Sequence, residues 1–88
     1  MAMTQDSIQV SVQAFAMAAD AMGCREKAIM IQGPATVGDA WEVLLAAHPG
    51  LAALETTLAF ACNDRLVDPG TPLVDGDTLA LLPPVSGG

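Results

Sequence analysis

Residues 78–88 have the sequence Thr78-Leu79-Ala80-Leu81-Leu82-Pro83-Pro84-Val85-Ser86-Gly87-Gly88. The first five residues predict a strand, and because the run is apolar on both faces we expect a central strand covered on both sides. Proline cannot donate to a sheet ladder, so the two prolines should end this strand. From Pro83 to Gly88 the chain could then reach roughly 20 Å as an extended arm.

The tip of this arm has no side chains at Gly87 and Gly88, so only backbone and a terminal carboxylate would reach a partner. Such an arm can enter a narrow tunnel in another protein, and the Gly88 carboxylate is therefore the candidate functional group. A terminal Gly-Gly alone is also typical of a disordered chain end. Its position directly after a strand favours the functional interpretation. We predict one domain over residues 1–82 and a flexible, extended tail over residues 83–88.

The rest of the chain predicts several short strands around one main helix. Residues 8–14 alternate apolar and polar side chains, and residues 28–31 should pair with them as a wide hairpin. Between these strands, residues 16–22 predict a short helical turn that ends at Gly23. Residues 58–62 form a third predicted strand, and residues 66–67 a brief return strand. A turn at Asp75-Gly76-Asp77 should precede the last strand, with Gly76 supplying the positive φ.

The main helix is predicted from a cap and an apolar stripe. Thr36 is a good N-cap, Asp39 places a negative charge in the first turn, and Pro49 ends the pattern. One face is formed at helical spacing by Val37, Ala40, Trp41, Leu44, Leu45 and His48. We expect Trp41 to anchor the core rather than bind a ligand, and His48 to be a helix cap or surface group. The order of elements predicts an α+β fold, a mixed sheet of four to five strands with one helix packed across it.

The composition excludes several classes of function. The net charge is −7, with three basic residues against ten acidic ones, which disfavours nucleic acid and favours either a basic partner surface or plain solubility. No apolar run could span a membrane and no basic signal region begins the chain, so we expect a cytoplasmic protein. Cys24 and Cys62 with one histidine cannot supply a usual zinc or iron–sulfur site. We expect no disulfide, no bound metal and no bound cofactor.

The residues also resemble a known family. The order ββαββ(β) with an apolar last strand and a Gly-Gly end is similar to the ubiquitin-like β-grasp fold. The more specific similarity is to the ThiS/MoaD family, in particular the MoaD type, the small sulfur-carrying subunit of molybdopterin synthase. It is carried by the segments 72–77 and 81–88 and by Asn63, with weaker support from Phe15-Ala16 after the first strand.

The resemblance implies a function for the tail. An E1-like adenylyltransferase would adenylate the Gly88 carboxylate with ATP, and a sulfur donor would convert it to a thiocarboxylate. The large synthase subunit would take in the tail, and the sulfur would attack a cyclic pyranopterin during molybdenum cofactor biosynthesis. The family implies a heterotetramer in which the large subunit holds the catalytic groups, so this chain would not be an enzyme alone. Residues expected to contact partners are Leu82, Pro83, Pro84, Val85, Ser86 and Gly87; for Leu82, core packing is an equal alternative.

One position departs from the family pattern. Relatives often have an arginine in the segment after the first strand, where this chain has Ala19. If that arginine contacts the activating enzyme in relatives, recognition of this chain must use other contacts. Two other functions stay open: a β-grasp sulfur carrier for thiazole or cysteine synthesis, and a ubiquitin-like modifier whose Gly88 forms an isopeptide bond with a lysine. A free-standing enzyme is least supported, because the sequence shows no catalytic constellation.

Overall fold

The computed structural model describes residues 7–83, which form seven strands, two α-helices and one 3₁₀ helix. The elements are β1 (Ser7–Ala14), α1 (Met17–Met22), β2 (Glu26–Gln32), β3 (Ala35–Thr36), α2 (Val37–Ala47), the 3₁₀ helix (Pro49–Leu54), β4 (Ala59–Cys62), β5 (Arg65–Val67), β6 (Pro72–Leu73) and β7 (Thr78–Leu82). Within these residues no helix is long and apolar enough to cross a membrane.

The last described strand, β7, lies in the middle of the sheet. Five strands have the order β2-β1-β7-β4-β5. β7 is parallel to β1 and antiparallel to β4, whereas the β1–β2 and β4–β5 pairs are both antiparallel. The predicted mixed sheet with a central last strand is therefore confirmed. β2 is longer than its predicted core, because it pairs with β1 over the seven positions from Glu26 to Gln32.

The main helix begins as its sequence predicted. Thr36 Oγ1 accepts a hydrogen bond from Asp39 N (3.2 Å), and Asp39 Oδ2 accepts one from Thr36 N (2.9 Å), which together form a capping box. His48 is the C-cap, and its backbone N donates to Leu44 O (2.7 Å). The predicted cap role of His48 is thus confirmed, and its Nε2 also lies 2.9 Å from Lys27 Nζ.

One face of α2 packs on the sheet. Its buried residues are Val37, Ala40, Trp41 and Leu44, all four from the predicted stripe. The Trp41 ring meets the Phe60 ring of β4 edge-to-face, with 5.5 Å between the ring centroids and 68° between the planes. Such a pair contributes about 0.5–1.5 kcal/mol beyond the area it buries. Trp41 is 5% exposed, which confirms that it anchors the core.

Two very short strands were not predicted. β3 and β6 form a separate antiparallel pair, Ala35 with Leu73 and Thr36 with Pro72, outside all the strands that the sequence predicted. The loop before β6 also covers the start of α2. Gly38 N donates to Pro69 O (2.8 Å), and a Cβ at Gly38 would lie only 3.3 Å from that oxygen. Glycine thus permits the close approach between loop and helix.

The helix covers only one face of β7. Leu79 and Leu81 are fully buried beneath it, whereas Thr78, Ala80 and Leu82 are half-buried on the opposite face. The expectation that β7 is covered on both sides is therefore wrong. β7 pairs with a neighbouring strand on each side, but within the described residues only its inward-facing side chains belong to the core cluster.

We predict that Trp41→Ala will lower the free energy of unfolding by about 3–5 kcal/mol, because it leaves a cavity between α2 and Phe60. The measurement is urea unfolding followed by circular dichroism, since the change removes the single tryptophan. Val43→Ala is the matched control, because Val43 lies on the same helix with 38% of its surface exposed. If Trp41→Ala prevents folding, Trp41→Phe supplies the measurable variant. Equal costs for the Trp41 and Val43 variants would contradict a core role.

Candidate functional site

The last strand, β7, ends between β1 and β4. At the end of β7, Leu81 pairs with Ala14 of β1 and with Phe60 of β4, and Leu82 pairs with Ala59. Pro83 follows outside any strand and is exposed. The strand thus ends where the sequence predicted. The other predicted site residues lie outside the described residues, namely Pro84, Val85, Ser86, Gly87 and Gly88.

An apolar patch lies on the open face of the sheet beside this exit. Cross-strand pairs place its members side by side: Ala59 with Leu82, Ala61 with Ala80, and Ala61 with Leu66. We call these five residues the exit patch. Leu66 is 74% exposed, the largest exposed fraction among the large apolar side chains of the described segment. Leu82 lies outside the buried core cluster, so the core-packing alternative for this residue is not supported and its side chain is accessible to a partner.

On the β1 side of the exit lies a concave surface of about 510 Å³, which we call the exit concavity. It is lined by Gln13, Ala14, Phe15, Ala16, Ala19, Arg25 and Glu26. Ala14 N donates to Arg25 O (2.8 Å), which fixes the Arg25 backbone beside the end of β1. Ala19, the position that the family resemblance expects to be basic, therefore shares a surface with an arginine that comes from elsewhere in the chain. Sequence spacing alone gave no signal for this proximity.

The start of β7 is held by a network around Asp77, which is 8% exposed. Asp77 Oδ1 accepts a hydrogen bond from Asn63 Nδ2 (2.9 Å) and Oδ2 accepts one from Val74 N (2.8 Å). Asn63 Oδ1 in turn accepts from Thr78 N (3.0 Å). Asn63 and Asp64 form the two-residue turn between β4 and β5, with φ of 51° and 71°, values that Asn and Asp tolerate better than most residues. The network therefore joins two turns across the sheet.

Asp77 also determines the state of the buried Cys62 thiol. Burial raises the pKa of Cys62, and the negative charge and hydrogen bonding of Asp77 raise it further. The thiol is thus protonated near neutral pH, which makes it a poor nucleophile. For Asp77 itself, burial would raise the pKa, but hydrogen bonds from Val74, Asn63 and Cys62 outweigh burial and lower the pKa below its usual range. Cys62 is thus an inert core residue.

The Asp-Gly-Asp turn serves the fold. Gly76 has a φ of 91°, as predicted, and Asp75 Oδ1 accepts a hydrogen bond from Gln9 N (2.7 Å). Both carboxylates thus bind backbone or side-chain donors of neighbouring segments. In residues 7–83 no group of three or more His, Cys, Asp or Glu side chains is arranged to hold a metal ion.

Sequence and structure comparisons agree with this geometry. The model of the ThiS family matches residues 12–88. The human molybdopterin synthase sulfur carrier subunit is 34% identical over 83 residues, covering 91% of this chain and 94% of the human protein. Small archaeal modifier protein 1 of Haloferax volcanii is 38% identical over 82 residues, covering 84% of this chain and 94% of that protein.

Solved structures show the same fold. The crystal structure of the Haloferax volcanii modifier SAMP1 superposes with a TM-score of 0.81 at 34% identity, covering 91% of this chain and 99% of that one. A chain in the complex of subunits 1 and 2 of the molybdopterin-converting factor from Helicobacter pylori has a TM-score of 0.64 at 32% identity, covering 92% of this chain and all of that one, 100%.

Fold and exit geometry together define a ubiquitin-like β-grasp protein whose central strand leads into the C-terminal segment. The chain belongs to the ThiS family, with molybdopterin synthase sulfur carrier subunits among its relatives. The family membership predicted from the sequence is confirmed.

We predict that Asp77→Asn will destabilise the fold by about 1–3 kcal/mol, because an amide replaces one acceptor oxygen with a donor that faces other donors. The pKa of Asp77 is lowered by folding, so its charge contributes stability that is complete above the ordinary carboxyl pKa of about 4. That contribution is lost as the pH falls through the lower pKa of the folded state.

The measurement is the urea midpoint between pH 2 and 7 for both proteins. The difference between them should be largest at neutral pH and shrink in acid. Asp64→Asn is the control, since Asp64 is an exposed neighbour in the Asn63-Asp64 turn. A difference that stays constant with pH would show that the Asp77 charge contributes nothing.

Proposed function

We propose that this chain is a sulfur carrier, the small subunit of a molybdopterin synthase, whose Gly88 thiocarboxylate donates sulfur to cyclic pyranopterin monophosphate in molybdenum cofactor biosynthesis. The observation that carries the proposal is the position of β7. The strand lies in the middle of the sheet and leads without a linker through Leu82 and Pro83 into the Gly-Gly segment. The human and Chlamydomonas reinhardtii sulfur carrier subunits, 34% and 35% identical to this chain, support the assignment.

The proposed chemistry begins with a poor electrophile. A carboxylate resists attack because its carbon is electron-rich and its oxygens leave badly. An E1-like enzyme would join the Gly88 carboxylate to AMP from ATP, with release of pyrophosphate. A sulfur nucleophile at the oxidation level of hydrosulfide would then attack the acyl carbon, and AMP would leave with the former carboxylate oxygen, so that a thiocarboxylate remains. ATP would thus be bound and used by the activating enzyme, and this chain alone would bind no cofactor.

The proposed roles of this chain and of the large subunit follow from the residues of the tail. Residues 87 and 88 are glycines, so no Cβ would obstruct a narrow channel or crowd the reacting carbonyl. Leu82, Pro83, Pro84, Val85 and Ser86 would contact the partner beside the reacting end. The large subunit would supply the acid–base and substrate-binding groups, in a heterotetramer in the cytoplasm. The Helicobacter pylori complex of subunits 1 and 2 supports pairing with a large subunit.

A second candidate is a ubiquitin-like protein modifier. The observation that favours it is the 38% identity to small archaeal modifier protein 1. In this case the activated Gly88 carbonyl would be attacked by a lysine amine of another protein, and an isopeptide bond would form. Both candidates share the adenylated intermediate and differ in the nucleophile that follows.

The tail hypothesis predicts a mass change. After incubation with ATP, an E1-like enzyme and a sulfur source, the intact mass should rise by the replacement of one oxygen with one sulfur. Deletion of Gly87 and Gly88 should abolish this rise and the synthase activity while leaving the circular dichroism spectrum and urea midpoint unchanged. The intact chain without ATP is the control for non-enzymatic sulfur addition.

Two outcomes would contradict this assignment. Synthase activity in the deletion variant would exclude Gly88 as the sulfur carrier. Adducts of this chain on lysines of unrelated proteins, with no thiocarboxylate under the same conditions, would favour the modifier instead.

The exit patch predicts where the large subunit binds. We expect Leu66→Ser to weaken binding roughly tenfold, because a buried apolar anchor at an interface contributes more than about 1 kcal/mol. Met30→Ser is the matched control: Met30 is 60% exposed on the same open face but pairs with Gln9, toward the end of the sheet opposite the exit. Isothermal titration against the large subunit measures both variants. Equal effects at Leu66 and Met30 would contradict a localised docking patch.

A further inference from the structure

The exit concavity contains an arginine without an ion-pair partner among residues 7–83. Arg25 is exposed, and no described carboxylate lies within ion-pair distance of its guanidinium. The chain as a whole has ten acidic residues and three basic ones. Among residues 7–83, Lys27 and Arg65 form no ion pair either, so what distinguishes Arg25 is its location in the exit concavity.

Part of the surface around Arg25 is apolar. Alanines at positions 14, 16 and 19 form much of the lining, and Phe15 at the rim is 46% exposed. Met17, the first residue of α1, is 55% exposed close by in sequence. An exposed aromatic ring beside an arginine is the combination enriched at the energetic centres of protein interfaces. This points to a protein ligand.

We propose that the exit concavity is a second docking site, in which Arg25 binds a carboxylate side chain of the protein that takes up the tail, while an apolar neighbour of that carboxylate packs on Phe15. This inference rests on the proposed function, because it requires a partner that holds the chain at the exit. It assigns a role to a residue outside the tail and outside the exit patch.

The chemistry of the guanidinium selects a carboxylate. Its planar fork donates two parallel hydrogen bonds to the two oxygens of Asp or Glu, and it is more weakly hydrated than an ammonium group. A partner suited to a chain of net charge −7 is expected to be basic overall. A purely basic surface would repel Arg25, so the partner must present an acidic group at this one point.

The charged groups around Arg25 leave room for such a ligand. Glu26 lines the same concavity, and Asp20 lies with Arg25 along a neighbouring depression, yet neither forms an ion pair with it. Glu26 pairs across the β1–β2 ladder with Gln13. The carboxylates of Glu26 and Asp20 place negative charge around Arg25. A partner that carries a lysine or arginine beside its own carboxylate would therefore complement both the positive and the negative charges of this surface. This arrangement also fixes the orientation in which the partner can dock.

The test compares two arginines. Arg25→Gln and Arg65→Gln remove the same charge, but Arg65 is an exposed residue of β5 that pairs with Cys62, so it lies on the face of the sheet opposite Leu66 and the exit patch. Isothermal titration against the large subunit should show about tenfold weaker binding for Arg25→Gln, the effect expected for one charged hydrogen-bonded contact. Arg65→Gln should stay within about twofold, as for a surface charge outside the interface. The loss at Arg25 should shrink in high salt, and Arg25→Lys should restore only part of the affinity.

Several outcomes would overturn the inference. Equal affinities for the Arg25 and Arg65 variants, in a chain that still forms its thiocarboxylate and binds the large subunit, would leave the proposed function intact and refute this site alone. No binding by the unaltered chain would refute both. In the free chain, removal of residues 84–88 should leave the Arg25 Nε–H resonance unchanged. A shift of that resonance would mean that the chain's own terminal carboxylate occupies the concavity.

Discussion

The buried carboxylate of Asp77 fixes the start of the strand on which the whole arrangement depends. Its two oxygens accept hydrogen bonds from Asn63 and Val74, so the turn after β4 and the segment before β7 are joined at one point. The Asp75-Gly76-Asp77 turn before β7 is also joined to β1, because Gly76 N donates to Gln9 O (2.9 Å) and Asp75 Oδ1 accepts from Gln9 N. β7 therefore enters the sheet with its register set relative to both neighbouring strands before its first ladder pair.

A strand fixed in this way gives the residues that follow it in the chain a rigid point of attachment. β7 pairs with β1 on one side and β4 on the other, and Leu79 and Leu81 are fully buried beneath α2. Pulling on the C-terminal segment thus acts on the most constrained strand of the sheet. Because the link contains no extra residues, a partner that docks on the sheet also determines where the tail begins.

The sequence predicted those parts of the fold that depend on local signals. The Thr36–Asp39 cap, the apolar stripe with Trp41, and the turn at Gly76 each follow from a few neighbouring residues, and each has its predicted form. The features that escaped prediction depend on contacts between distant segments. β3 and β6 have two residues each, too few for any periodic pattern, and they exist because the loop at Pro69 packs on the start of α2. The open face of β7 escaped because an apolar strand in the middle of a sheet has the same composition whether one face is covered or two.

In the candidate site, too, the features with local sequence signals were predictable and those that depend on distant contacts were not. The central strand, its end at Leu82 and the prolines beyond were evident from the sequence, because proline excludes the ladder. The surfaces beside the exit were not, since Leu66 comes to Ala61 through one hairpin and Arg25 comes to Ala14 through another. The described residues hold a protonated Cys62 thiol and no group of side chains arranged to hold a metal ion. Selectivity for a partner then has to come from shape and charge around the exit. The structure places an apolar patch on the β4 side of the end of β7 and a concavity that contains Arg25 on the β1 side, and two such surfaces of different chemistry would fix an orientation that either surface alone would leave free.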